Sequence, residues 1–287
     1  MRAKAAVPLG RDSLIGRILR WLASQDISDV VLNLHHLPST ITALVGDGRE
    51  FGVSVRYSWE PVLLGSAGGP RLALPLLPAT DFFIINGDYL TSVDLRALAA
   101  AHQASGARVT MALVENQWPQ RYGGVITDSS GVVHGFVPRG SMARSYHFIS
   151  VQIANPSVFV ELPVNEPAES TGGVYRRLIA ERPGSVRGFL SRSSFLDVGT
   201  PADYLETALS IAQREGKGPQ RGERIRIDPT ASLVDTVIWD DVEIGPDVRL
   251  RRCIVADGVT IPAGAVFDSR ALVEQDGTLI ATEISHG

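Results

Sequence analysis

The sequence is short of cysteine. Cys253 is the only one in 287 residues, so no internal disulfide can form and a fold held by cross-links is excluded. Runs of basic residues are also missing, and the formal net charge is -4. Neutralising a phosphate backbone takes clustered Lys and Arg, so nucleic acid is not expected as a partner. No apolar stretch reaches the roughly 18 residues that a membrane span needs. The amino terminus carries no apolar leader core. A protein of the reducing cytoplasm, not associated with a membrane, is the expectation. What is present is ordinary for a folded chain: 44% hydrophobic and 20% charged residues, long enough for one large core or two domains.

The first two thirds alternate between helical and strand patterns. Leu14, Ile15, Ile18, Leu19 and Leu22 recur at helical spacing behind Asp12 and Ser13 as candidate caps. "DVVLNL" follows as a buried strand, "PSTITALVGDG" as a short helix, "GVSVRYS" as a strand and "RLALPLLP" as a helix. "DFFIINGD" is a strongly apolar strand, "VDLRALAAAHQASG" an amphipathic helix and "RVTMALV" the next strand. Such βα alternation predicts an α/β fold with a mixed, mostly parallel sheet. Ligands of such sheets bind beyond the carboxyl ends of the strands. The middle is more antiparallel, with a hairpin in "YGGVITDSSGVVHGFV" turning at Asp128 to Gly131. "TPADYLETALSIAQREG" is a long helix with Thr200 as cap and Pro201 in its first position. "GKGPQRGE" then reads as a linker, which divides the chain into residues 1–218 and 219–287.

Beyond the linker the period changes. "VIWDDVEIGPDVRL" from Val237 aligns with "IVADGVTIPAGAVF" from Ile254 at an offset of 17, matching Asp240 to Asp257 and Ile244 to Ile261. Apolar or small residues return about every six positions, the mark of a short hexapeptide β-helix. Two good coils with frayed ends are expected. A small antiparallel β-domain is the alternative. Short stacks of this kind leave open ends that favour pairing, so a homo-oligomer is expected.

Two carboxylates stand where chemistry would be placed. Asp88 ends the apolar run "FFIIN", and Asp197 leaves the strand "SFL". Each could instead serve a turn. Together they could share a hard cation such as Mg²⁺. The glycines of "LLGSAGGP" let backbone approach a ligand, or form a plain turn before a helix. His35 and His36 diverge on a strand and read as polar loop residues rather than metal ligands.

The set "LLGSAGG", "NGD", "YGGV", "FLDVGTPADYL" and a hexapeptide tail resembles the sugar-1-phosphate nucleotidyltransferases, over nearly the whole chain. The resemblance implies a Rossmann-like, GT-A-like nucleotidyltransferase domain followed by a left-handed hexapeptide β-helix. It implies transfer of a nucleotidyl group from a nucleoside triphosphate to a sugar 1-phosphate with Mg²⁺. Asp88 and Asp197 would be the metal-binding and catalytic aspartates. Glu60, Gly65, Ser66, Ala67, Gly68 and Gly69 would hold the nucleoside. Gly123 would meet the sugar, and Lys4 resembles the lysine of a K-P-x-x-P motif, with Ala5 in place of its proline. Three departures from the family pattern stand out. Val137 and Pro138 occupy the place of a Glu-Lys pair, leaving Arg139 as the phosphate partner. Phe148 replaces an Asn. The family's first strand and G-x-G-T-R loop precede the lysine motif, so the 287 residues alone are expected to be of low stability and activity. A catalytically silent binding subunit is the competing reading. Acyltransferases built on the same repeat use a coil histidine, and none lies between His147 and His286.

Overall fold

A computed structural model describes residues 2–285; Met1, His286 and Gly287 lie outside the described residues. The chain forms two compact units. One takes residues 18–195; the other takes the residues up to Arg17 together with those from Leu196 onward.

The first unit is built on a six-stranded mixed sheet. Tyr146–Ala154 lies between Phe82–Ile85 and Val109–Glu115, antiparallel to both, so those two strands share one direction. Val186–Leu190 pairs parallel with Val109–Glu115, and the hairpin of Gly124–Thr127 and Val133–Val137 completes the sheet. The Val109–Glu115 strand is buried from Val109 to Val114, which fits its unbroken apolar run between two neighbours. The Asp128 carboxylate fixes the hairpin turn by accepting from the amides of Ser130 at 2.9 Å and Val132 at 3.0 Å. The core gathers Val109, Met111, Leu113, Phe82, Phe159 and Tyr175. The Tyr175 hydroxyl donates to Gln152 at 2.9 Å, so both polar groups are satisfied inside it.

Asp29–Leu34 and Ser54–Trp59 form a separate parallel pair. The expectation that "DVVLNL" is buried holds only for Leu34; Val30, Val31 and Leu32 are half-exposed. Among the described residues this strand has one partner, as does Phe82–Ile85, whose Phe83, Ile84 and Ile85 are also half-exposed. A strand with one bare edge keeps part of its apolar surface in water whatever its composition.

The second unit holds the amino-terminal segment, the helix Pro201–Arg214 and the β-helix. Lys4–Ala6 is a 3₁₀ turn, and Pro8–Leu9 pairs with Asp12–Ser13 as a small hairpin. The helix opens on a full capping box: Thr200 accepts from the Asp203 amide, and the Asp203 carboxylate accepts from the Thr200 amide. The β-helix exceeds the expected two coils. Its faces are three strands deep at a shift of 17: Arg226 over Glu243 over Thr260, Leu233 over Leu250 over Phe267, Val237 over Ile254 over Ala271. Val242, Val248, Cys253 and Val259 fill the interior. Corners repeat with the same shift, as positive φ at Asp241 and Gly258, at Asp247 and Gly264, and at Asp235, Arg252 and Ser269.

Candidate active site

The run read as a glycine loop is the start of a helix, Gly65–Ala73. "RLALPLLP" supplies only its end and a following 3₁₀ turn at Leu74–Leu76. Glu60 explains how a glycine-rich stretch stays helical. Its side chain is buried at 2% exposure, accepts from the Leu64 amide at 2.9 Å and is bridged by the Asn33 side chain. His35 joins the same brace, its Nδ1 lying 2.9 Å from the Glu60 carbonyl oxygen. The segment 168–170 straps the other side. The Ala168 carbonyl accepts from the Ala67 and Gly68 amides at 2.8 and 3.2 Å, and Ser66 donates to Glu169 at 2.8 Å while accepting from the Ser170 amide. The glycines are required by this closeness. A Cβ on Gly68 would lie 2.8 Å from the Glu166 carbonyl, and one on Gly69 would lie 2.5 Å from the Glu60 carboxylate. Just before the helix in the chain, Trp59, Val62 and Leu63 are exposed at 54%, 62% and 64%.

Asp88 lies half-buried in the turn that follows Phe82–Ile85. The turn starts from Asn86, whose amide donates to the Ser150 carbonyl at 3.1 Å. Ser150 itself has φ +59°, at the irregularity in the central strand. Gly123 is exposed at the mouth of the hairpin, and a Cβ there would lie 3.0 Å from the Val137 carbonyl. Arg139 is exposed beyond the same hairpin. Phe148 packs on the core rather than presenting a polar group.

An aromatic cluster unforeseen in the sequence draws the Asp88 and Gly123 segments together. Tyr89, next to Asp88, stacks on Phe195 at 6.5 Å; Tyr122, next to Gly123, meets the same ring edge-on at 6.0 Å. His147 lies 4.1 Å from Tyr122 and 4.9 Å from Phe195, ring to ring, and Trp118 meets Phe195 edge-on at 6.1 Å. The "YGG" tyrosine was the one signal of it in the sequence.

His147 is 6% exposed, and its Nε2 has no hydrogen-bond partner among the described residues. Burial, helped by the charge of Arg121, lowers its pKa from 6.5 to about 4. Below pH 6.5 the unfolded chain takes up a proton that the folded chain refuses until about pH 4, so stability falls as pH drops through that window, by about 1.4 kcal/mol per pH unit at most. His147→Phe keeps the ring contacts and removes the proton. Its urea midpoint is expected to fall less between pH 7 and pH 4.5 than that of the parent. An equal fall in both would mean that His147 is not the group responsible.

In the other unit, Lys4 is exposed on its 3₁₀ turn. Asp197 is half-buried at the end of Phe195–Asp197, and a Cβ on Gly199 would lie 3.0 Å from its carboxylate. Among the described residues no three His, Cys, Asp or Glu side chains are grouped to hold a metal ion.

The nucleotidyl transferase family matches residues 1–214, and a GlmU-like C-terminal hexapeptide family matches residues 222–273. The chain belongs to the nucleotidyl transferase family. It is 26% identical to a mannose-1-phosphate guanylyltransferase of Mycobacterium tuberculosis, over 92% of this chain and 77% of the relative. It is 24% identical to a UTP–glucose-1-phosphate uridylyltransferase of Synechocystis, over 95% and 74%. A D-glycero-alpha-D-manno-heptose 1-phosphate guanylyltransferase of Aneurinibacillus thermoaerophilus is 30% identical over 70% of this chain and 86% of its own. The crystal structure of HddC from Yersinia pseudotuberculosis shares the fold, with a TM-score of 0.64 at 19% identity, covering 72% of this chain and 89% of that one. No helix among the described residues is long and apolar enough to cross a membrane.

Proposed function

We propose that the chain transfers a nucleotidyl group from a nucleoside triphosphate to a sugar 1-phosphate, giving a nucleoside diphosphate sugar and pyrophosphate. The observation that carries this reading is the doubly braced, glycine-rich start of the helix Gly65–Ala73, in a chain whose relatives are named for this reaction. A phosphate oxygen of the sugar 1-phosphate attacks the α-phosphorus. The bond from that phosphorus to the bridging oxygen breaks, and pyrophosphate leaves with the electron pair. No covalent enzyme intermediate is needed, so positioning and charge neutralisation do the chemistry. In this reading the turn from Gly65 to Gly69 receives the nucleoside, with Trp59, Val62 and Leu63 as its apolar rim. Glu60 acts through the turn, since its carboxylate is engaged by Leu64 and Asn33. Gly123 and Arg139 face the sugar phosphate, and Lys4 takes a phosphate oxygen. Asp88 and Asp197 hold a divalent cation, Mg²⁺ in this proposal, which when bound neutralises phosphate charge. The β-helix favours self-association, and the cytoplasm supplies both substrates.

The test is release of pyrophosphate from each nucleoside triphosphate with mannose, glucose, heptose and N-acetylated hexose 1-phosphates. Turnover with one pair above the rest supports the proposal and names the substrates. Nucleotide binding without turnover in every pair would instead establish a binding subunit.

A further inference from the structure

Two coil residues one repeat apart, Asp240 and Asp257, converge on one cation from the opposite end of the sequence. Arg2 donates to Asp257 through Nε at 2.8 Å and Nη2 at 2.7 Å, and to Asp240 through Nη2 at 2.5 Å. The three side chains are only 24–28% exposed. The guanidinium also lies 5.7 Å from the Trp239 ring centre. The Asp257 hydrogen bonds hold Arg2 above its usual range despite partial burial. Without Arg2, two carboxylates stacked by the 17-residue repeat would repel each other, as like charges on adjoining strands do.

A second anchor lies six residues on. Trp239 Nε1 donates to the Tyr204 hydroxyl at 2.9 Å, and that hydroxyl donates to the Pro8 carbonyl at 2.7 Å. Burial pushes the Tyr204 phenol well up, so it keeps the proton that it donates. Between the anchors, Ala3 and Ala6 are buried at 6% and 3% while Lys4 is exposed. The segment is a strap pinned at both ends that presents one lysine. Lys4 and Lys217 are the only lysines in the chain.

We propose that Asp240 and Asp257 are positioning residues for nucleotidyl transfer: by clamping Arg2 they hold the 3₁₀ turn from which Lys4 takes a substrate phosphate. This rests on the phosphate-binding role given to Lys4 above. It makes the β-helix part of the transfer machinery, since misplacing a phosphate-binding group by about an ångström costs up to a hundredfold in rate.

The test uses the full chain, the Asp240→Asn/Asp257→Asn double variant, which removes the carboxylate repulsion as well as the clamp, and Arg2→Ala, which changes no coil residue. Three readouts are taken: amide exchange of the peptide spanning residues 3–9, acylation of Lys4 relative to Lys217 with and without nucleoside triphosphate, and the KM for that triphosphate. Both variants are expected to exchange on the order of tenfold faster in that peptide. Both should lose triphosphate protection of Lys4 and raise KM about tenfold with a smaller change in kcat. Unchanged exchange, or faster exchange with Lys4 protection and KM intact, overturns the proposal. If the parent turns over no substrate pair, the transfer reading fails alone; protection of Lys4 that is present in the parent and lost in both variants still establishes the clamp. Absence of protection in the parent overturns it.

Discussion

Asp88→Ala and Asp197→Ala are each expected to lower pyrophosphate release by about a hundred- to a thousandfold if the proposed cation site is right, the size of loss seen when one preorganised electrostatic group is removed from an active site. Neither replacement is expected to unfold the chain, because both carboxylates are half-buried at the ends of strands rather than sealed inside them. The Asp88 turn is held independently, by the Asn86 amide on Ser150 and by Tyr89 on Phe195. Asp88→Asn and Asp197→Asn keep shape and remove charge, so they should fall as far as the alanine variants if the charge is what matters. Pyrophosphate release across a Mg²⁺ titration, beside thermal melting, checks both halves. Near-normal turnover in either alanine variant would sink its assignment as a metal ligand.

Different parts of this chain were legible in the sequence to different degrees, for physical reasons. The β-helix announced itself because every coil must place a small apolar residue inward at the same offset, and Val242, Val259, Ile244 and Ile261 do so. Its earliest coil was obscured because Ala231 and Thr236 stand where Val248 and Cys253 fill the interior one repeat later. Composition marks "DVVLNL" as buried, yet composition does not say whether a strand has one neighbour or two. The glycine run was read as a loop because glycine disfavours helix by about 1 kcal/mol per residue. Tertiary hydrogen bonds from Glu60 and Ala168 override that preference, and neither is adjacent to the run in a way that periodicity detects. The positions of Asp88 and Asp197 near strand ends were legible because each closes an apolar run. The aromatic cluster was not, since Tyr89, Trp118, Tyr122, His147 and Phe195 are spread over a hundred residues. Arg2 and its two aspartates lie further apart still, and an ion pair leaves no local signal.

Gly69→Ala is expected to destabilise the chain by about 2 kcal/mol and to cripple nucleotide use, although on helix propensity alone it should help. Alanine is favoured over glycine inside a helix by about 1 kcal/mol, and Gly69 has no positive φ to oppose it. The obstacle is space: the added Cβ would lie 2.5 Å from Glu60 Oε1 and 2.7 Å from Asn33 Nδ2. Either the helix start moves off, or the Asn33–Glu60 bridge opens inside a site where Glu60 is 2% exposed. A buried acceptor that loses one of its two donors costs up to about 3 kcal/mol, which exceeds the gain in propensity. The loss is a substantial part of a typical stability of about 5–15 kcal/mol and corresponds to a fall in Tm of about 4–8 °C for a unit of this size. Because the displaced turn is the proposed nucleoside seat, the triphosphate KM should rise about tenfold or more at temperatures where the variant is still folded. Gly173→Ala is the control, since a Cβ there meets nothing within 4 Å. Melting curves and KM values for the two variants decide the matter. A Gly69→Ala protein as stable and as active as Gly173→Ala would show that the Glu60–Asn33 brace does not fix the glycine turn.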